Sequence, residues 1–242
     1  MNEATPAFYA LAPGGWRDYV TLLHPPYTLW HLGYVVIGAG LAPDLPLGRV
    51  ALAVVAFLLA LGIGAHALDE LNGRPLQTRI PDRTLIGLAA VSLAGAVAIG
   101  VAVSVGFSLW LLPFVGFGAF IACAYNLELF GGRFHSDLWF ALAWGAFPLL
   151  TGYFTAAGRL TGEAVAAAVF AALTSAAQRI LSTPVRTVRR QIASVSGTLE
   201  LRDGRREPVT RETLIAAPEL ALRMLAAGIV ALAVALLLLR LA

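Results

Sequence analysis

Seven long apolar stretches alternate with short polar segments along this 242-residue chain. Each stretch runs for about 16–25 residues, close to the length at which a helix crosses a bilayer. We therefore predict an all-α fold, a polytopic transmembrane helical bundle of about seven spans. The predicted spans are 27–42, 49–68, 84–105, 108–125, 138–156, 163–180 and 219–241.

The polar segments divide the chain into four predicted parts. Residues 1–26 contain several prolines and glycines and no continuous apolar core, so we expect an interfacial N-terminal arm instead of a cleaved signal peptide. Residues 27–181 form the predicted six-helix transmembrane bundle, and residues 219–242 form the predicted C-terminal transmembrane helix. Between them, residues 182–218 are the largest predicted extramembrane segment.

The segment 182–218 begins with an arginine-rich stretch, which predicts that span six continues as an interfacial helix. Beyond it, Leu199 and Leu201 alternate with polar residues before the turn residues Asp203 and Gly204, a pattern typical of a β-hairpin. A two-stranded hairpin is barely stable alone. This segment is therefore a candidate contact for a soluble partner.

Composition and charge place the chain in a membrane. Hydrophobic residues make up 59% of the chain and charged residues 13%, whereas soluble domains have about 25% charged residues. All basic residues are arginines, and 14 of the 17 lie on the side of the membrane that holds the N-terminal arm and the loops after the second, fourth and sixth spans. The positive-inside rule predicts that this side is cytoplasmic and that the C-terminus faces outward, in an inner or plasma membrane. The lipid bilayer is thus the expected partner, and no zinc spacing or aromatic–basic alternation predicts nucleic-acid binding.

The segment GIGAHALDELNGRPLQTRIPDR changes from apolar to charged within one helical turn. Spacings of three and four place His66, Asp69 and Glu70 on one helix face, and Gly73 with Pro75 predicts the helix end. Carboxylates at the end of a lipid-embedded helix are costly unless they are solvated or coordinated.

Two interpretations of this acidic turn are open. Its carboxylate oxygens are hard ligands suited to Mg²⁺, with nearby arginines donating to phosphate oxygens that the metal does not bind. Alternatively, Asp69 and Glu70 lie beyond the hydrocarbon and pair with arginines among the headgroups. The arginines concerned are Arg74, Arg79 and Arg83.

Four motifs resemble those of the UbiA superfamily of intramembrane prenyltransferases. They are GRPLQTRIP after the acidic turn, HPPYTLWHLGYVVIGAG at the first span, AYNLELFGGRFHSD after the fourth and WGAFPLLTGY in the fifth, and together the resemblance covers about two-thirds of the chain. It implies a UbiA-like bundle that transfers an isoprenoid from a prenyl diphosphate to an acceptor with the help of Mg²⁺.

The resemblance also implies roles for individual residues. Asp69, Glu70 and Asn72 stand at the positions of the family's first aspartate-rich loop. We therefore predict Asp69, Glu70 and Arg74 as catalytic residues, and His66, Asp69, Glu70 and Asn72 as Mg²⁺ ligands. The predicted substrate-binding residues are Asn72, Arg79, Tyr125, Asn126, Arg133, Arg179, Arg186 and Tyr153.

The chain departs from the family pattern after span six. No carboxylate occurs between Glu163 and Glu200, so the second aspartate-rich motif is absent. We expect a single Mg²⁺ assisted by arginines, since guanidinium groups neutralise phosphate directly. Aromatic side chains either line a prenyl pocket or pack between helices and at the interface. The arginines are Arg179, Arg186, Arg189 and Arg190, and the aromatic residues are Tyr125, Trp139, Phe147 and Tyr153.

Two other functions remain open at the sequence level. The protein is alternatively a non-catalytic isoprenoid-binding or scaffold protein of the membrane. The four histidines, all expected at or just under the cytoplasmic surface, also allow a metal-dependent membrane oxidoreductase in which His66, His135 and Asp137 bind a transition metal. No histidine box supports the second alternative.

Overall fold

The computed structural model describes residues 5–242, which form eight helices and one two-stranded β-sheet. Six of these helices are long and apolar enough to cross a membrane, so the chain is a multi-pass membrane protein. The helices are α1 Trp16–Leu22, α2 Pro25–Leu41, α3 Leu47–Leu71, α4 Asp82–Gly106, α5 Leu109–Asn126, α6 Asp137–Ala157, α7 Gly162–Arg190 and α8 Arg211–Leu241.

The predicted first span is helix α2, which is shorter than the other six. Its 17 residues rise about 25 Å, near the lower limit for crossing a bilayer. The helix packs chiefly against α6 and α8, and Trp30 and Tyr34 are fully buried there. Burial on several sides therefore makes α2 the central helix of the bundle.

Glycines bring α2 and α6 into direct backbone contact. A Cβ atom on Gly38 would lie 2.0 Å from the Leu149 carbonyl oxygen, and one on Gly152 would lie 2.1 Å from that of Val35. Gly145 likewise approaches α7, where a Cβ atom would lie 2.5 Å from the Ala171 oxygen. Small residues thus allow close packing between these helices.

Such contacts leave no space for a ligand beside these glycines. Gly145 and Gly152 face neighbouring backbone, and Gly62 and Gly64 face the side chains of Thr28 and Leu93. All four positions are filled by adjacent helices, so any chain-binding space must lie elsewhere.

Replacing Gly152 by alanine should therefore destabilise the bundle. The added methyl group forces the α2 backbone away, and overpacking of this kind costs about 1–3 kcal/mol or more. We expect a lower Tm in detergent for Gly152→Ala, whereas Gly87→Ala, at a position with nothing within 4 Å, should leave Tm unchanged or slightly higher. Equal Tm values for the two variants would contradict the close α2–α6 contact.

Two of the long helices contain π-helical stretches, Leu58–Ala65 in α3 and Leu142–Ala146 in α6. Such stretches are rare and often occur at functional sites. Here the first immediately precedes His66 and the second contains Trp144, so both adjoin the same end of the bundle.

The predicted extramembrane segment is built on the ends of α7 and α8. Both helices run unbroken through the predicted domain limits at 181/182 and 218/219, because Pro184 and Pro218 are accommodated within them. A largely buried ion pair joins the helices, with Arg189 Nη2 2.8 Å from Glu219 Oε1. The hairpin is present beyond α7, where β1 Thr198–Glu200 pairs antiparallel with β2 Arg206–Pro208 and both strands are exposed.

Candidate functional site

Polar side chains from six parts of the chain meet at the end of the bundle where α3, α5 and α7 terminate. We call this group the polar cluster. The N-terminal arm and the residue before α2 contribute to it, as does the loop that follows α5. Its members are Tyr9, His24, His66, Asp69, Tyr125, His135, Arg179, Arg186 and Arg190.

Arg186 lies at the centre of the polar cluster. Its guanidinium interacts electrostatically with Arg179 and Arg190 on the same helix and with Tyr125 and Asp69 across from it. Spacings of seven and four residues place the three arginines on one face of α7. Within the described residues Arg186 has no ion pair, and its guanidinium donates a hydrogen bond to the Thr183 hydroxyl at 3.3 Å.

The flanking arginines are partly engaged by protein groups. Arg179 Nε lies 3.0 Å from Asp137 Oδ1, and its guanidinium carbon lies 5.5 Å from the centre of the Phe140 ring. Arg190 Nε donates to the Pro6 carbonyl oxygen at 3.3 Å. Asp137 is mostly exposed. The face of α7 therefore presents an excess of positive charge to Asp69, which interacts electrostatically with Arg190 and Arg186.

Each of the four histidines holds Nδ1 within 2.7–3.1 Å of a main-chain carbonyl oxygen. A carbonyl only accepts hydrogen bonds, so Nδ1 carries the proton and Nε2 remains a proton acceptor. His24 and His66 also lie against each other, with ring centroids 3.9 Å apart. His31 differs from the sequence-based expectation, because it is 2% exposed and bonded to Trp144 deep between helices.

Two buried polar atoms near the arginines have no hydrogen-bond partner among the described residues. They are the Tyr125 hydroxyl and Gln178 Oε1, in side chains of residues that are 5% and 3% exposed. The Tyr125 ring is held in place by His135 on one side and Trp144 on the other, at centroid distances of 4.4 and 4.5 Å. Unpartnered buried polar groups are costly and often mark a ligand site.

The N-terminal arm covers one side of the cluster. Tyr9 packs against the rings of His24 and Tyr27, at 5.4 and 5.6 Å, and Phe8 contacts Tyr27 at 6.2 Å. Burial raises the pKa of Tyr9 well above its ordinary value, so its hydroxyl stays protonated. The hydrogen bond that Arg190 donates to the Pro6 carbonyl oxygen connects the arm to α7.

An apolar cavity of about 110 Å³ lies between α3, α4, α5 and α6. Phe57 and Phe147 line its middle, and Ala65 and Trp144 line the end next to the polar cluster. Ala65 directly precedes the first cluster residue of α3, and Trp144 contacts Tyr125. The cavity and the polar cluster are therefore adjacent and form one amphiphilic site.

The structure separates the two carboxylates of the acidic turn. Glu70 is 1% exposed, and its Oε2 and Oε1 accept from the Leu76 and Thr78 N–H groups at 2.9 and 2.8 Å. Both oxygens therefore hold the loop after α3. Asp69 is partly exposed and faces the polar cluster, with no hydrogen bond or ion pair to another described residue.

Arg74, predicted to be catalytic, instead fixes its own loop. Its guanidinium donates to the Thr78 and Ile80 carbonyl oxygens, at 3.2 and 2.6 Å, and pairs with Asp82. The pairing of Asp69 and Glu70 with arginines, the second interpretation of the acidic turn, is therefore not found among the described residues, because Arg74 pairs with Asp82 and Glu70 accepts from backbone N–H groups. Arg79 is exposed, and its N–H donates to Asp18 Oδ2 at 3.0 Å. Neither arginine belongs to the polar cluster.

The remaining predicted substrate-binding residues are divided between the two ends of the bundle. Asn72 is exposed and donates to the Asn126 carbonyl, while Asn126 is buried and bonded to Ala122. Arg133 is exposed on its loop. Tyr153 lies about 24 Å along α6 from the cluster end and accepts from the Thr161 hydroxyl, so it is not part of this site.

The predicted Mg²⁺ ligands do not form a ligand set. Glu70 is saturated by backbone donors, Asn72 is bonded elsewhere, and His66 Nδ1 is bonded to Gly62. No group of three or more His, Cys, Asp or Glu side chains in residues 5–242 has the geometry of a metal site. His66, His135 and Asp137, the oxidoreductase ligands considered from the sequence, therefore form no such group either.

Protonation of His24 should weaken the packing of the N-terminal arm. Burial, followed by the neighbouring His66, Arg190 and Arg186, lowers the pKa of His24 well below 6.5. The unfolded chain then binds a proton that the folded protein excludes, so stability falls as pH drops below about 6.5. We expect Tm to decrease between pH 7.5 and 5, and less steeply in His24→Gln. Identical slopes for the two proteins would contradict this.

In comparisons with protein-family models, curated proteins and solved structures, nothing matches this chain. The site therefore has to be interpreted from its own residues. Sequence reasoning identified Asp69, Tyr125 and the arginines of α7 but missed Tyr9 and Gln178. Tyr9 had no motif to mark it, whereas Gln178, a polar residue within an apolar helix, was a usable signal.

Proposed function

We propose that this protein is a UbiA-like membrane protein that binds a prenyl diphosphate and transfers its isoprenoid group to an acceptor. The observation that carries the proposal is the direct contact between the apolar cavity and the arginine-rich polar cluster, through Trp144 and Tyr125. A ligand that fits both parts has a hydrocarbon chain and a compact anionic head.

The charges on α7 support an anionic head group. Arg186 and Arg190 interact electrostatically with Asp69, Arg179 adds a third guanidinium beside Arg186, and guanidinium groups bind phosphate oxygens in bidentate geometry. The cavity lining supports a hydrocarbon chain, because it is almost entirely aliphatic and aromatic and includes Phe57 and Phe147. Aromatic faces there favour an allylic cation as well as a hydrocarbon chain.

The transfer step needs little from the protein beyond charge and position. The bond between the allylic C1 carbon and the diphosphate oxygen breaks, and the leaving diphosphate keeps the electron pair. Arg179, Arg186 and Arg190 stabilise that developing negative charge. The acceptor then bonds to C1 and gives up a proton, for which Asp69 and His66 Nε2 are the available acceptors. No step is assigned to Mg²⁺, because the predicted ligands do not fit it.

Non-catalytic isoprenoid binding is the second candidate, and the state of Glu70 favours it. With both Glu70 oxygens bonded to the loop, the acidic turn offers the site one carboxylate instead of two. A lipid carrier or scaffold needs the cavity and the arginines but no ionisation of the diphosphate.

We further propose that the polar cluster faces the cytoplasm of an inner or plasma membrane. Fourteen arginines lie on its side, and α2 would cross as a seventh span, leaving the C-terminus outside. Placing a single cysteine at Arg205 in a Cys123→Ser background tests this. The thiol should be protected from an impermeant reagent in intact cells, and labelling there would contradict the orientation.

Thermal stabilisation of the purified protein tests the function. Geranylgeranyl diphosphate should raise Tm, while geranylgeraniol and inorganic pyrophosphate, each lacking one half of the ligand, should raise it much less. No shift with geranylgeranyl diphosphate would contradict the proposal. Pyrophosphate release from the same lipid in membranes containing the protein would support transfer, and binding without release would select the non-catalytic alternative.

A further inference from the structure

Among the described residues, most carboxylates at this end of the bundle already have protein partners. Glu70 accepts two backbone N–H groups, Glu219 binds Arg189, Asp82 binds Arg74 and Asp137 binds Arg179. Asp69 is left to face the arginines. One carboxylate is too few for the divalent cations that commonly accompany a diphosphate, since Mg²⁺ requires near-octahedral oxygen coordination.

The cations, in contrast, are left in excess. Arg186 interacts electrostatically with Arg179 and with Arg190, and such like charges repel in a partly buried site. Arg186 has no carboxylate partner within hydrogen-bond distance among the described residues. An anion placed between these guanidiniums would remove the repulsion and supply the missing partner.

A neutral hydrogen-bond donor, the Tyr125 hydroxyl, lies close to the same arginines. The Tyr125 hydroxyl is buried, unpartnered and within electrostatic reach of Arg179 and Arg186. A phenolic O–H is a suitable donor to a phosphate oxygen. The rings of His135 and Trp144 on either side of Tyr125 fix its direction.

We propose that the site binds its isoprenoid phosphate as the metal-free anion, with the α7 arginines and the Tyr125 hydroxyl taking the place of Mg²⁺. This inference rests on the proposed function and specifies how the head group is recognised. The ligand class is a prenyl phosphate or diphosphate that is not complexed by a divalent cation. Mg²⁺ then competes with the protein for the diphosphate, because it occupies the oxygens that the guanidiniums bind.

The experiment measures the Tm shift produced by geranylgeranyl diphosphate in EDTA and in excess Mg²⁺. We expect the full shift in EDTA and an equal or smaller shift in Mg²⁺. A shift that appears only with Mg²⁺ would overturn metal-free binding while leaving the proposed function intact. No shift in either condition would overturn both.

Tyr125→Phe separates recognition of the head from folding. The variant keeps the ring and its contacts with His135 and Trp144 but lacks the hydroxyl, so its Tm without ligand should match that of the parent. We expect its affinity for geranylgeranyl diphosphate in EDTA to fall about tenfold or more, in keeping with one lost hydrogen bond to a charged phosphate oxygen. Unchanged affinity would remove Tyr125 from the site. Geranylgeraniol, which lacks the phosphate, should bind both proteins equally.

Discussion

Arg186→Gln should raise the Kd for geranylgeranyl diphosphate at least thirtyfold while leaving the fold intact. Arg186 is central among the cations of α7, and in residues 5–242 no carboxylate neutralises it within hydrogen-bond distance. Removing one member of a desolvated charge pair costs about 2–5 kcal/mol, which corresponds to a factor of roughly 30 or more in Kd. Radiolabelled ligand binding to the purified protein in detergent measures this change.

Arg205→Gln is the matched control. This residue is also an arginine on the same side of the protein, but its side chain is 70% exposed on the hairpin and pairs with Asp203. A surface ion pair of this kind contributes little, so binding and Tm should both be unchanged. If Arg186→Gln and Arg205→Gln bind the ligand equally well, the polar cluster is not the head-group site.

Glu70→Gln should lower the free energy of unfolding by about 2–4 kcal/mol. The buried carboxylate accepts from the Leu76 and Thr78 N–H groups, and hydrogen bonds to a charged group contribute about 1.5–3 kcal/mol. The glutamine keeps one oxygen acceptor but turns an N–H₂ donor towards one of the two donors. Amide exchange at Leu76 and Thr78 should accelerate together with the fall in Tm.

Glu207→Gln serves as the control for this substitution, since Glu207 lies in an exposed strand of the hairpin. Its Tm should match that of the parent. If the acidic turn were a metal site, Glu70→Gln would abolish a Mg²⁺-dependent increase in Tm without lowering the Tm of the metal-free protein. That result would contradict the structural role assigned to Glu70.

The membrane class of the fold was predictable because apolar length is a direct physical requirement of the bilayer. The alternation of apolar and polar residues also predicted the hairpin turn at Asp203 and Gly204, and β1 and β2 pair on either side of it. The structural role of the glycines in helix packing was not predictable from the sequence. Whether Gly152 lines a pocket or touches Val35 depends on which helices are neighbours, and the sequence of one helix does not contain that information.

The candidate site was predicted only in part, again because the sequence does not show which helices and loops are neighbours. Spacing correctly placed His66, Asp69 and Glu70 within one helical turn, but it did not indicate that the next loop folds back onto Glu70. Both carboxylates therefore looked equally available. The charge excess on α7 was visible in sequence, whereas its juxtaposition with Tyr125 required the packing of α5 against the end of the bundle.

An experimental structure of the protein with geranylgeranyl diphosphate, prepared in EDTA, tests the central claim most directly. We predict density for the diphosphate between Arg179, Arg186 and Arg190, with the hydrocarbon chain passing Trp144 into the cavity beside Phe147. Density for the ligand outside this cavity, or a head group bound through a metal at Asp69 and Glu70, would contradict the account.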